Sequence, residues 1–414
     1  MPTDATAPLR PAPGPDDTSP ALPTPVSRRA LAPDLARGLM LLLIALAHVP
    51  WFLYTTDIGA TLLHPAGGGV ADRIAQAVTI VTVDARAYPL FALLFAYGIG
   101  QMYARQTGGG TSVRDARRLL RTRHLWLLGF GLVHAALLWQ GDILGTYGLL
   151  GLVLVPLFLN RSDRVLKIWI GVLLGVGGAW ALTMTALGAP AAPAAMEVQR
   201  MAIAQESYLL SIPLRLVMWF PGLLSGFVTV TLPAAFLVGL LASRHRVLEE
   251  PARHLPLLRR TAVLGIAVGW GAGLAQALVH LGVLTLPGGA ALTDLHVYTG
   301  FFAGVGYAAL FGLVAHRITA RGTTPPLPVR ALVALGRRSM SGYIAQSMVW
   351  TPLLAASGLA LGAHLTSWSA LLVGIGTWLL TVVLAYALDR AGIRGPAETL
   401  LRRLTYRRGV IRRG

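Results

Sequence analysis

An apolar run at residues 39–47, bracketed by ionisable groups, constrains this chain more than any other stretch. Asp34 and Arg37 precede the run and His48 follows it. The eleven steps from Arg37 to His48 make about three turns of an α-helix, so both side chains share one face. Ionisable side chains in a lipid-spanning helix are costly and usually face the interior of a bundle. We therefore predict that this segment is the polar core helix of a polytopic membrane protein.

The composition supports a membrane class. Hydrophobic residues make up 55% of the 414 residues and charged residues only 13%, whereas soluble domains carry about 25% charged residues. Several apolar stretches reach the roughly 20 residues that a helix needs to cross a bilayer. We predict an all-α, polytopic helical bundle whose main partner is the lipid bilayer.

The net charge of +18 does not indicate a nucleic-acid partner. The basic residues stand in short clusters between apolar segments, as the positive-inside rule requires, and form no continuous basic face with aromatic partners. Cysteine is absent, which excludes disulfides and thiolate metal sites. No metal-ligand spacing such as HExxH occurs, so we expect no metal site.

The apolar runs predict ten membrane-spanning helices. They are expected at residues 35–55, 87–105, 121–140, 142–160, 165–187, 216–243, 259–285, 297–318, 330–356 and 367–390. Residues 56–86 are expected to form a loop with an amphipathic piece at 74–83 that lies on the membrane interface. Asp57 and His64 in this loop are expected to be solvated.

The distribution of basic residues predicts the orientation. With ten crossings, the loops on the starting side hold 28 of the 35 Lys and Arg residues, so both termini are expected in the cytoplasm of a bacterium, beneath its inner (plasma) membrane. The domain prediction is a disordered, proline-rich tail at 1–33, a bundle at 34–390 and a basic tail at 391–414. The sequence gives no indication of an oligomeric state.

Polar residues inside the bundle can serve more than one role. Ser339, Tyr343, Gln346 and Trp350 form one stripe, either a hydrogen-bonded seam between helices or a face turned to substrate. Asp142 stands where it can cap the helix that follows.

The histidines leave a further choice. His134 is free to pair with Asp142 or with another carboxylate. His48 is either a general base or a neutral side chain bonded to a neighbouring helix. Gln276 and His280 share a face, and Asp294 and His296 open the next span, without a metal-ligand pattern.

Five motifs in order resemble the YeiB-like bacterial membrane family, also called domain of unknown function 418. They are Asp34-Leu-Ala-Arg37-Gly38 and the segments 84–98, 141–147, 336–347 and 394–406. The resemblance runs from about residue 30 to about residue 408. That family is similar to the transmembrane acyltransferases, among them heparan-α-glucosaminide N-acetyltransferase, in which a histidine spaced as His48 is from Arg37 acts as base or acyl relay.

The resemblance implies an acyltransferase-like protein with a polar cavity between the first, second, third and ninth spans. The catalytic residues would be His48, Arg37 and Asp34. The substrate-binding residues would be Arg86, Tyr88, His134, Asp142, Tyr147, Arg337, Ser339, Tyr343 and Gln346. No cofactor is expected to stay bound. Acyl-CoA is the expected donor, its phosphates held by the basic ends at Arg105, Arg117, Arg118, Arg121 and Arg337. The acceptor would be a sugar, a lipid or another small molecule.

Two other hypotheses stand beside the enzyme. A transporter or lipid-handling protein would use His48, His134, Asp142 and His280 to relay protons or to bind a polar head group, and would show broken helices around a midplane site. A membrane scaffold would pack its polar groups against one another with no void. An enzyme would show His48 on a tunnel open to the cytoplasmic face.

Overall fold

The computed structural model describes residues 31–61, 64–188, 193–286 and 292–406, and within these ranges the regular structure is helical, without β-strands. The helices are α1 Leu31–His48, α2 Val70–Thr82, α3 Ala87–Gly108, α4 Val113–Leu137, α5 Ile143–Phe158, α6 Asp163–Ala186, α7 Pro193–Ala204, α8 Tyr208–Val228, α9 Thr231–Arg244, α10 Leu255–His280, α11 Thr293–Ala320, α12 Leu327–Arg337, α13 Ser339–Leu354, α14 Ser367–Arg390 and α15 Pro396–Thr405. The all-α prediction is confirmed.

The helices have the length and composition of membrane spans. In the described part of the chain, seven helical segments are long and apolar enough to cross a bilayer, and α5 and α9 are shorter apolar helices. α6 leaves Val176, Trp180 and Leu182 exposed, as a lipid-facing helix does. The chain is therefore a helical membrane bundle, whereas the count of ten crossings stays a prediction.

The two ends of the bundle differ in chemistry. We call the end where α3, α9 and α14 finish the basic end, because it carries Arg105, Arg244 and Arg390. The opposite end is where α1, α4 and α10 finish. The predicted tail at 1–33 lies mostly outside the described residues, and α1 already begins at Leu31. The basic segment after 390 includes α15, which packs against α4 and α13.

The prediction of one helix over 216–243 is wrong. α8 ends at Val228 and α9 begins at Thr231, after a break at Thr229 and Val230. Pro233 explains the break, since proline has no N–H and its ring collides with the carbonyl four residues before it. In the first turn of α9 the missing N–H costs nothing.

The prediction of one helix over 330–356 is also wrong. The short helix α12 ends at Arg337, α13 begins at Ser339, and Arg338 between them leaves the helical conformation. The guanidinium of Arg338 donates to the carbonyl oxygens of Ala334 and Ile393 and to the Asp389 carboxylate. These contacts hold the break in place.

The predicted loop at 56–86 ends in a longer helix than expected. α2 packs against α10 and α14, and its exposed residues Val70, Ile74 and Val78 form one stripe. Between α2 and α3 the backbone turns at Ala85, whose φ of 60° lies in the left-handed region that non-glycine residues avoid. The backbone at Ala85 is therefore locally strained.

α1 lies at the centre of the bundle and packs against α3, α11, α12, α13 and α14. Its contact with α12 is very close. A Cβ at Gly38 would stand 2.2 Å from the Leu332 carbonyl oxygen, and a Cβ at Gly336 would stand 1.7 Å from the Asp34 carbonyl oxygen. Glycine at both positions lets the two backbones approach until the charged ends of α1 and α12 meet.

We expect Gly336→Ala to destabilise the protein, because the added methyl group must push α12 away from α1. Overpacking of this kind costs about 1–3 kcal/mol. Thermal unfolding in detergent measures the loss. The control is Gly376→Ala in α14, where nothing lies within 4 Å of the new Cβ. Equal unfolding temperatures for the two variants would contradict the close contact.

Candidate functional site

A cavity of about 1340 Å³ opens at the basic end. Its walls come from α1, α3, α4 and the pair α12 and α13, which correspond to the four predicted spans, and also from α5, α9, α14 and α15, which the sequence did not indicate. We call it the basic cavity. This volume exceeds the roughly 300–1,000 Å³ of a typical small-ligand pocket, so the bundle does not merely pack its polar groups together.

The wall of the basic cavity is rich in arginine. Nine arginines line it, namely Arg37, Arg105, Arg123, Arg244, Arg246, Arg337, Arg338, Arg394 and Arg402. The lining carboxylates are fewer, namely Asp34, Glu249, Asp389 and Glu398. The excess of guanidinium groups makes the cavity attractive to anions. Of the basic ends predicted to hold phosphates, Arg105 and Arg337 line the cavity, whereas Arg117, Arg118 and Arg121 are not part of its wall.

Asp34 organises the side of the cavity next to α1. Its carboxylate accepts a hydrogen bond from Arg37 at 3.0 Å and lies 3.5 Å from Nε of Arg337. Arg37 also donates to the carbonyl oxygen of Leu94 in α3 at 3.4 Å. Asp34 is buried, and a buried carboxylate needs such partners. The structure thus brings together Asp34, Arg37 and Arg337, three of the residues predicted for the site.

The inner part of the basic cavity is apolar. Its lining side chains include Met40, Phe91, Phe95, Leu127 and Leu144. The cavity therefore changes from guanidinium groups near the basic end to hydrocarbon farther in. This gradient suits an amphiphile with an anionic head and an apolar tail.

α15 closes one side of the mouth. Glu398 accepts hydrogen bonds from the backbone N–H groups of Met340 and Ser341, at 2.8 and 3.1 Å, and from the Ser341 hydroxyl. The carboxylate thereby satisfies free N–H groups in the first turn of α13. This anchor places Arg394 and Arg402 on the cavity wall. Neither guanidinium forms a hydrogen bond or ion pair with another residue of the described ranges.

His48 does not line the basic cavity. It is fully buried, and neither ring nitrogen has a hydrogen-bond partner within the described residues. Aromatic rings surround it, with centroid distances of 4.4 Å to Trp139, 6.3 Å to Tyr88 and 6.4 Å to Tyr343. Tyr343 also lines the cavity, so one aromatic ring stands between the cavity and His48. In this structure His48 does not lie on the expected tunnel.

His134 and Asp142 form a pair behind the same tyrosine. Nδ1 of His134 lies 3.2 Å from Oδ1 of Asp142, and its Nε2 lies 2.9 Å from the Ser347 hydroxyl. Asp142 also accepts from the N–H groups of Leu144 and Gly145, at 3.1 and 2.6 Å. The cap that the sequence favoured for Asp142 is therefore confirmed, together with the pair that it left open for His134.

The stripe on α13 divides between two roles. Ser339 and Tyr343 line the basic cavity. Gln346 donates to the Leu41 carbonyl oxygen at 3.2 Å, and Trp350 donates to Thr377 at 3.1 Å. These two form the hydrogen-bonded seam, one of the two alternatives predicted for the whole stripe.

Tyr147 and Tyr88 form part of another seam, between α5 and α3. The Tyr147 hydroxyl donates to the Tyr88 carbonyl oxygen at 2.7 Å, and neither residue lines the basic cavity. Tyr147 packs against Phe91, with ring centroids 4.3 Å apart. The seam fixes the start of α3 beside the start of α5.

A second group of buried ionisable residues lies at the break between α2 and α3. Nε2 of His64 lies 2.6 Å from Oδ2 of Asp84, and both side chains are buried, so the prediction that His64 is solvated is wrong. Asp57 is exposed, as predicted. Arg86 donates to the carbonyl oxygens of Asp84 and Gly269 and lies 3.0 Å from a ring nitrogen of His296.

Sequence reasoning named Arg86 as a substrate-binding residue, but it missed that Arg86 lies in this second group with Asp84 and outside the wall of the basic cavity. The signal was present, because Asp84 and Arg86 are opposite charges two residues apart, just before a helix that begins with proline at its third position. Among the described residues, no three His, Asp or Glu side chains come together in a metal-binding arrangement.

The fold and the cavity define a multi-pass membrane protein of the all-helical class. Residues 242–408 match the family described as protein of unknown function (DUF418). The chain is 26% identical to the uncharacterized protein YxaH of Bacillus subtilis (strain 168) over 411 residues, which cover 93% of this chain and 96% of that protein. It is 26% identical to the uncharacterized protein YeiB of Escherichia coli (strain K12) over 409 residues, 90% of this chain and 95% of that protein. The chain is thus similar to the YeiB-like DUF418 proteins over most of its length.

We expect Asp142→Ala to destabilise the protein more than Asp142→Asn. Alanine removes the cap of α5, which is worth about 0.5–2 kcal/mol, and leaves His134 without its partner. Asparagine keeps one oxygen for the cap but loses the charge and one of the two acceptor oxygens. Thermal unfolding in detergent gives the order, with Asp57→Asn, at an exposed carboxylate, as the control. If alanine and asparagine cost the same, capping is not the main role of Asp142.

Proposed function

We propose that this chain is an acyltransferase-like protein of the bacterial inner membrane, with the basic end in the cytoplasm. The observation that carries the proposal is the gradient of the basic cavity, from arginines at the mouth to hydrocarbon inside. An acyl-CoA has the matching order of groups, with phosphates at one end and an acyl chain at the other. The donor would enter from the cytoplasm, where acyl-CoA is made.

The phosphates would be held at the mouth. Arg394 and Arg402 line it and make no pair within the described ranges, so their guanidinium groups can each bind a phosphate in bidentate fashion. Arg37 and Arg337 share the Asp34 carboxylate and are less available. Their role would be to shape the wall between the mouth and the apolar part.

The acyl end would lie beside Phe91, Phe95 and Tyr343. Transfer to a hydroxyl or amine acceptor forms a bond from the acceptor oxygen or nitrogen to the acyl carbonyl carbon and breaks the carbon–sulfur bond of the donor. The acceptor proton passes to His48, and the thiolate leaves into the basic cavity, where it takes a proton from water. In this proposal the Tyr343 ring moves aside in the reacting conformation, so that His48 meets the acyl group.

A transporter or lipid-handling protein is the second candidate. The specific observation in its favour is that α2 and α3, α8 and α9, and α12 and α13 are separated by breaks. The same cavity would then bind an anionic lipid or metabolite that crosses the membrane unchanged. The void in the bundle weighs against the third hypothesis, a scaffold without a cavity.

We expect the double variant Arg394→Gln/Arg402→Gln to lose affinity for a non-hydrolysable acyl-CoA thioether. A hydrogen bond to a charged group contributes about 1.5–3 kcal/mol, so the two losses together weaken binding at least tenfold. Binding is measured calorimetrically on the purified protein in detergent. The matched control is Arg259→Gln/Arg260→Gln, two exposed arginines of α10 outside the cavity wall. Equal affinity in both double variants would contradict a donor site in the basic cavity.

We expect His48→Asn to abolish one acylated product in cells, because the amide cannot take the acceptor proton. Untargeted mass spectrometry of lipids and glycans compares the variant with wild type at equal expression and equal thermal stability. His364→Asn, at an exposed histidine, is the control. Unchanged profiles in the His48 variant, together with normal binding of the thioether, would favour the transporter over the enzyme.

A further inference from the structure

Ionisable side chains form a line from the opposite end of the bundle toward His48. The line starts at His280, the last residue of α10. It continues through His64 in the loop after α1 and Asp84 at the break between α2 and α3. It ends at Tyr88 in the first turn of α3, beside His48.

The outer half of the line consists of two histidines. The rings of His280 and His64 are 5.9 Å apart between centroids. His280 is nine-tenths buried, and neither of its ring nitrogens has a hydrogen-bond partner within the described residues. Gly59 makes room for this ring, because a Cβ there would stand 2.3 Å from Cε1 of His280. The imidazole therefore lies next to His64 with room for its ring.

The middle of the line is the His64–Asp84 pair at 2.6 Å. Within the described residues, the neighbouring Arg86 makes no hydrogen bond to the Asp84 carboxylate. It donates instead to the carbonyl oxygens of Asp84 and Gly269 and lies beside His296. The left-handed backbone at Ala85 between them turns the two charged side chains to different partners. The Asp84 carboxylate is therefore left for His64.

The inner half runs from Asp84 to His48. Tyr88 follows Asp84 by four residues, across the break between α2 and α3. The Tyr88 ring is 6.3 Å from the His48 ring between centroids. Buried ionisable groups in membrane spans commonly mark proton routes.

We propose that His280, His64, Asp84 and Tyr88 form a proton path between the opposite end of the bundle and His48. The path rests on the proposed function in one respect, since it gives the proton that His48 takes from the acceptor a way out. Each group binds one proton and passes one on. One proton leaves at the opposite end for each acyl group transferred, and the thiolate is protonated at the basic end.

Other charged and titratable groups border this path and His48. Arg86, His296 and Tyr307 flank the break, the last donating to the Thr82 carbonyl oxygen at 2.6 Å. His134 and Asp142 lie behind Tyr343 on the other side of His48 and offer a rival exit. A test must therefore separate Asp84 from Asp142.

Proton conductance of proteoliposomes separates them. The wild-type protein is expected to conduct almost no protons, because the Tyr343 ring lies between the path and the basic cavity. Tyr343→Ala removes this ring and connects the path to the basic cavity, so proton conductance should rise at least tenfold. Conductance is measured with a pH-sensitive dye under a valinomycin-imposed potassium potential. Adding Asp84→Asn or His280→Gln should return conductance to within twofold of wild type. The control Asp57→Asn, at an exposed carboxylate of the same loop as His64, should leave the conductance of Tyr343→Ala unchanged.

Two results would overturn the path. One is an unchanged wild-type level of conductance in well-folded Tyr343→Ala. The other is conductance that survives Asp84→Asn, whether or not Asp142→Asn removes it. The assay contains no acyl donor, so failure of acyl transfer would leave its outcome intact.

A second measurement avoids Tyr343→Ala in case that variant does not fold. Solvent exchange of the His48 ring protons, followed by NMR of histidine-labelled protein, should slow at least tenfold in Asp84→Asn and stay at the wild-type rate in Asp57→Asn. Equal rates in Asp84→Asn and wild type would overturn the path.

Discussion

The carboxylate of Asp34 is the interaction on which the basic end depends. It contacts Arg37 of its own helix and Arg337 at the end of α12, so one buried anion balances two cations from two helices. A buried charge without such partners is very costly. The contact in turn requires α1 and α12 to approach closely, which Gly336 permits. Without this junction, the wall of the basic cavity beside α1 would have no fixed position.

A layer of aromatic rings divides the polar interior into two compartments. On one side, the basic cavity reaches Tyr343, with its arginines and its apolar inner wall. On the other, His48 and the His134–Asp142 pair are buried. The tyrosine ring contacts both compartments, with centroids 6.4 Å from His48 and 5.0 Å from His134. Motion of this single side chain would therefore decide whether the compartments communicate.

The helix breaks put charged groups where straight helices would not. The break at Arg338 turns its guanidinium toward Asp389 and the carbonyl oxygens beyond α14, which shapes the cavity mouth. The break between α2 and α3 brings Asp84 and Arg86 inside the bundle, each with its own partner. At a break, backbone groups lose their helical partners and become available to side chains. The breaks thus supply both compartments with polar groups.

The sequence by itself determined the membrane class, most of the helix positions, the shared face of Arg37 and His48 and the cap at Asp142. Those features follow from apolar length and from the local period of the helix, which neighbouring residues fix. Only the tertiary structure decided which side chains pack against each helix face. It placed the Tyr343 ring between His48 and the cavity, divided two predicted helices at Val230 and Arg338, and buried His64 against Asp84. Such contacts join residues from distant parts of the chain, and no local pattern records which of them meet.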